Sequence, residues 1–298
     1  MASSNSPSVA ATASPASQSS PLVLRIIGAV ALAHLINDLI QAVLPAIYPM
    51  LKDSYGLTFT QVGLITLTFQ LTASLLQPWV GYYTDRRPQP FLLPAGMICT
   101  LIGILMMSQV GSFPLILLAA ALIGIGSSTF HPEASRVARL ASGGRYGLAQ
   151  SSFQVGGNAG TAFGPLLAAA IIIPYGQGNV AWFGLFALFA LVVLYAISRW
   201  YANHLRLYKL KQGQAATHGL SRNRVISALV VLGLLVFSKY FYMASFTSYF
   251  TFYLIEKFDL SVASSQLHLF LFLGAVAAGT FFGGPIGDKI GRKAVIWF

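Results

Sequence analysis

Uninterrupted apolar stretches of about 20 residues recur along nearly the whole of this 298-residue sequence. Each is long enough to cross a hydrocarbon core of roughly 30 Å as a helix rising about 1.5 Å per residue. Lipid offers a backbone no hydrogen-bond partners, so a spanning segment must be a helix or one strand of a closed barrel. Barrel strands would show about ten residues of alternating polarity, and no such alternation is present. The sequence therefore specifies an all-α integral membrane protein. Composition agrees where it bears on the point: only 8% of residues are charged, against roughly 25% in an ordinary soluble domain.

The apolar pattern predicts eight spans, at 24–50, 59–83, 91–110, 113–139, 146–173, 180–201, 225–254 and 264–286. Residues 1–21, almost all Ala, Ser, Pro, Gln and Thr and without charge, cannot bury a core and are expected to form a disordered tail. No basic region precedes an apolar one there, so a cleaved leader is not expected. Residues 22–201 hold six spans, and 202–224 read as a flexible cytoplasmic linker carrying Arg206, Lys209, Lys211, Arg222 and Arg224. Residues 225–298 begin a second bundle that is incomplete, the sequence ending at the start of what would be a ninth helix.

Charge sets the orientation. With a cytoplasmic amino terminus, fifteen of the eighteen basic residues face the cytoplasm, Lys52 and Lys257 lie outside, and Lys239 sits within a span. The same rule accounts for the formal net charge of +11 without a nucleic-acid partner, for which no basic face on a soluble domain exists. The single Cys99 lies inside an apolar span and excludes a disulfide framework or a cysteine zinc cluster. No H-E-x-x-H, C-x-x-C or G-x-S-x-G is present, so the chain does not read as an enzyme, and neither cofactor nor metal is expected.

After the second span the chain reads Gly81-Tyr-Tyr-Thr-Asp85-Arg86-Arg87, and 203 residues later Gly284-Pro-Ile-Gly-Asp288-Lys289-Ile-Gly291-Arg292-Lys293. A recurrence of G-x-x-x-D-[RK] at the ends of equivalent spans marks two parallel six-helix halves with a substrate site between them. The second copy resembles the loop signature of the major facilitator superfamily at every defined position, while the first has Pro88, Gln89 and Pro90 where glycine and basic residues would stand. In the fifth span Gly156, Gly157, Gly160, Gly164 and Pro165 are similar to the glycine-proline signature of that superfamily's exporters, with Leu166 and Leu167 in place of the closing glycines. His-Leu-Ile-Asn-Asp in the first span and Ser-Ser-Thr-Phe-His-Pro-Glu-Ala-Ser-Arg in the fourth resemble the fosmidomycin-resistance group of bacterial efflux transporters. The resemblance implies a major facilitator fold of two pseudo-symmetric six-helix bundles, truncated here after about eight transmembrane helices. It further implies a monomer in the bacterial inner membrane that works by alternating access. Such a protein would exchange protons for a small anionic or amphiphilic drug such as fosmidomycin; proton-coupled symport of a metabolite is the alternative.

Site candidates follow from polar groups that the spans would otherwise exclude, since a charge at the bilayer centre costs about 2.5 to 3.5 kcal/mol on insertion scales. His34, Asp38 and Gln41 share one face of the first span at i, i+4 and i+7, where a cavity of changing hydration could load and release a proton. Lys239 in the seventh span, on a face with Tyr242, is the natural opposite charge for Asp38 or for an anionic substrate. His131 and Glu133 flank Pro132, where a kink is expected, and point to opposite sides, which argues against a joint metal site; Glu133 and Arg136 at i, i+3 suit an ion pair. Gln70 in the second span and Gln154 and Asn158 in the fifth could line a hydrophilic path or bond across helices. Gly81, Asp85, Arg86, Gly284, Asp288 and Arg292 are the expected gating loops, in which the aspartates pair with nearby basic groups.

Overall fold

The computed structural model describes residues 22–209 and 221–290, and among these every regular element is helical. The spans run Leu24–Ala46, Phe59–Arg86, Leu92–Met107, Phe113–Ala141, Tyr146–Tyr175, Phe183–Lys209, Arg222–Phe258 and Val262–Ile290. All are long and apolar enough to cross a membrane except the third, whose 16 residues fall just short. The helix expected over 91–110 is present as Leu92–Met107, the chain turning at both ends, beside Pro88 and Pro90 and again at Gln109 to Gly111. The expected tail, 1–21, lies outside the described residues, as do 210–220 and 291–298.

Local sequence explains where helices start and stop. Thr58 and Gln61 form a capping box that opens the second span. Gly56, at φ 60°, ends the short helix Tyr48–Tyr55 that precedes it. The sixth helix continues to Lys209 and the seventh starts at Arg222, so parts of the stretch read as a linker are helical. No glycine or proline interrupts the chain between Gly184 and Gly213, and nothing stops the helix at Tyr201. The fourth helix likewise passes through Pro132 without a break in its helical assignment.

Packing is led by the first span against the fifth and the third against the fourth. Gly156, Gly160 and Gly164 stand at four-residue steps against the first span, where a Cβ would collide with the backbone at Ala31, the backbone at Leu35 and the Ala42 side chain respectively. That close approach brings the polar face of the first span against the fifth and fourth. The eighth span leans on the fifth through Leu269, Leu273 and Ala162, and Gln266 donates to the carbonyl of Ala46 at 2.8 Å. The seventh exposes most of its length, burying only Ser248, Thr251, Phe252 and Leu254 near its end.

Candidate functional site

The fifth span fixes His34. Its Nδ1 donates to the carbonyl of Phe153 at 2.7 Å, and its ring stacks on that of Phe153 with centroids 3.9 Å apart. A carbonyl only accepts, so Nδ1 carries the hydrogen and Nε2 is left facing Asp38, one helical turn along, at 3.1 Å from Oδ2. His131 repeats this arrangement from the fourth span. Its Nδ1 donates to the carbonyl of Ser127 at 3.0 Å, and its Nε2 lies 3.4 Å from Asp38 Oδ1. One carboxylate thus sits between two imidazoles, each aimed by a backbone carbonyl.

Neutral amides complete the shell. Asn37 and Gln41 donate to Asp38 Oδ1 at 3.0 and 3.3 Å, and Ser127 Oγ donates to Gln41 Oε1 at 3.0 Å. Gly157 closes the fifth-span side, where a Cβ would stand 2.7 Å from Asp38 Oδ2 and closer still to the His34 ring. The side chains of His34, Asp38 and His131 keep 3%, 19% and 27% of their surface accessible. Of the three only His131 lines a cleft of about 440 Å³, walled also by Ser74, Gln77, Gly81, Ser135 and Phe153. The ligand atoms of the trio lie within 4.8 Å of one another, a spacing a metal ion could bridge, but the hydrogen bonds between them account for the same distances without one.

A second polar group, Glu133 and Arg136, lies just beyond His131 along the fourth span. Glu133 is fully buried and pairs with Arg136 at 3.1 Å, the i, i+3 pair the sequence predicts. Arg136 also reaches the second span, where it donates to the carbonyl and hydroxyl of Thr84 and pairs with Asp85. The buried Tyr201 of the sixth span adjoins both charges. Asp85 therefore finds its cation on the fourth span and not in its own loop. Arg86 folds back on its own helix, over the Tyr82 ring and toward the Tyr82 carbonyl. Gly81 passes Pro132, with 3.9 Å available to a Cβ.

Other candidates are placed apart from Asp38. Lys239 does not pair with it: the lysine is exposed, with its ammonium 5.4 Å from the Tyr240 ring, and the groups facing Asp38 are the two imidazoles. Tyr242 is exposed and stacks on Phe246. Gln154 donates to Asn158 within the fifth span, and Gln70 accepts from Ser74 within the second, so these amides satisfy one another along their own helices. Gly284 and Asp288 fall in the last turns of the eighth helix, and Arg292 lies outside the described residues. Asn37, Ser127 and Phe153 are site residues the sequence reading did not single out, and Gly157, named there for its glycine signature, proves to face Asp38. Ser127 could have been found, being one turn from His131 on the same face.

The apolar spans and the charges buried between them have the form of a transporter half, and comparison with known proteins decides the family. The profile of the Major Facilitator Superfamily matches residues 30–298. The chain belongs to that superfamily. It is 59% identical over 297 residues to the fosmidomycin resistance protein of Escherichia coli (strain K12), covering 100% of this chain and 73% of that one. It is 42% identical over 277 residues to the MFS-type transporter YfnC of Bacillus subtilis (strain 168), covering 92% and 67%. Among solved structures, a bacterial homologue of the human lysosomal transporter Spinster, inward-facing and occupied, superposes with a TM-score of 0.67 at 17% identity, over 92% of this chain and 63% of that one. That likeness shows the fold, and the chain spans less than two thirds of the structure it matches. The protein is thus a multi-pass membrane protein of a bacterial inner-membrane transporter family and not an enzyme.

Proposed function

We propose that this transporter exports a small anionic or amphiphilic compound, fosmidomycin among them, in exchange for protons entering the cell. The observation that carries the reading is Asp38 between His34 and His131, a protonatable group inside the bundle beside a cleft. An ionisable cluster at that depth is expected only where it moves a proton or binds a charged solute. The 59% identity to a fosmidomycin resistance protein supports the substrate class. One charge entering down roughly 100 mV supplies about 2.3 kcal/mol, enough for a gradient of about fiftyfold. Lys239, exposed on the seventh span, offers a positive charge to an anionic substrate. Asp85, Thr84, Arg136 and Glu133 serve as a latch between the second and fourth spans that holds one end of the path shut. The amino terminus is cytoplasmic, by the fifteen-to-two distribution of basic residues, and a monomer suffices.

The test is accumulation of fosmidomycin by inverted membrane vesicles carrying the full-length transporter. Uptake should rise when the lumen is made acidic and collapse when the gradient is dissipated. Accumulation in right-side-out vesicles with the opposite gradient would identify an importer, and uptake indifferent to pH in both would refute the proposal.

A further inference from the structure

We infer that the proton exchanged during transport rides on His131, while the proton between His34 and Asp38 stays in place. The inference deepens the proton-coupled reading above and rests on it. Hydrogen-bond arithmetic leads to it. Both Nδ1 atoms are committed as donors to backbone carbonyls, Phe153 for His34 and Ser127 for His131. Ser127 cannot supply His131 Nδ1 with a hydrogen instead, because its single hydroxyl hydrogen goes to Gln41 Oε1. In their neutral forms both rings therefore present a bare Nε2 to a carboxylate oxygen, an arrangement of facing lone pairs that a proton on either ring relieves. The trio can hold two protons, one at each Nε2, and its charge runs from −1 with neither to +1 with both.

The two positions differ in access. His34 is clamped by the Phe153 stack and the Phe130 ring at 5.7 Å, keeps the shorter contact to Asp38, and does not line the cleft. Its proton makes a neutral pair with Asp38, the form a low-dielectric bundle favours. His131 forms part of the cleft wall beside Ser74, Gln77 and Ser135, whose polar groups and entering water can solvate an imidazolium. A proton arriving in the cleft adds to the lone pair of His131 Nε2, taking the trio from neutral to +1, and leaves by the same route. Among the described residues the titratable groups facing His131 are Asp38 and His34, both from the first span. The second and fifth spans contribute Ser74, Gln77, Pro78, Gly81 and Phe153 to its surroundings, none of them ionisable. Glu133 and Arg136, on its own helix, are paired with each other and, through Arg136, with Asp85.

Two measurements test this. In solid-state NMR of the histidine-labelled full-length transporter in lipid bilayers, the ring nitrogens report protonation without any substrate, with signals assigned by His34→Gln and His131→Gln. His131 should pass from a neutral ring protonated at Nδ1 to a doubly protonated one as pH falls, while His34 keeps its proton shared with Asp38 throughout. A neutral His131 protonated at Nε2, or titration of His34 with His131 static, would overturn the inference. In proteoliposomes held at zero potential with a gradient of about one pH unit, wild type should accumulate fosmidomycin up to about tenfold. His131→Gln should equilibrate fosmidomycin across the membrane but reach only equal concentrations on both sides. Full accumulation by His131→Gln would likewise overturn it. Failure of wild type to respond to the gradient would sink the proton-coupled reading and leave the NMR assignment to be judged separately.

Discussion

Replacing Gly157 by alanine puts one methyl group where the site has no room. The new Cβ would lie 2.7 Å from Asp38 Oδ2 and closer to His34 Nε2 and Cε1, whereas ordinary contact begins at 3.4 Å, so the carboxylate must retreat by about 0.7 Å. The helices cannot simply part, because Gly156 and Gly160 press on the backbone at Ala31 and Leu35. His34 cannot turn aside without giving up its 2.7 Å bond to Phe153 and the ring stack. Strain of this kind costs about 1–3 kcal/mol, equivalent to a roughly 5- to 150-fold shift in the population of the arranged site. Thermal unfolding followed by fluorescence-detected size exclusion measures the first effect, and gradient-driven fosmidomycin accumulation in vesicles measures the second. Gly28→Ala is the control, since its Cβ would meet nothing within 4 Å. A Gly157→Ala protein with wild-type stability and accumulation would refute the close-packed geometry around Asp38.

Removing Arg136 tests the latch: Arg136→Gln strands the buried Glu133 and should cost about 3–5 kcal/mol of stability, most of it recovered in the double variant with Glu133→Gln. Thermal midpoints of wild type and the two variants check this, and an unaltered single variant would contradict it. Lys239→Gln should raise the KM for an anionic substrate and leave the pH profile of transport in place, because the lysine is not among the groups facing Asp38. A displaced profile would put Lys239 in the proton path.

The fold was legible because lipid leaves a backbone few choices: length and polarity alone located the helices. Where the reading erred, local chemistry decided. The lack of any glycine or proline after Gly184 carried the sixth helix past Tyr201 to Lys209. Part of the site was legible too, since His34, Asp38 and Gln41 share a helix face by spacing, and so do Glu133 and Arg136. What a single sequence does not carry is which helices meet. By sequence Lys239, 201 positions away, is the natural opposite charge for Asp38, and only the packing of the first, fourth and fifth spans shows that two histidines face it instead. Phe153 was hidden for the same reason, and so was the place beside Asp38 of Gly157, which the sequence showed only as part of a glycine signature. A phenylalanine whose carbonyl aims an imidazole, and a glycine that makes space for a carboxylate on another helix, leave no mark on the periodicity of their own span.

The central claim is that the Asp38 cluster ties solute movement to protons. It is tested most directly by comparing wild type and Asp38→Asn in proteoliposomes for two activities, fosmidomycin counterflow at equal pH and accumulation driven by an imposed pH gradient. Asp38→Asn should retain counterflow and lose accumulation. Accumulation by Asp38→Asn equal to that of wild type would contradict the account.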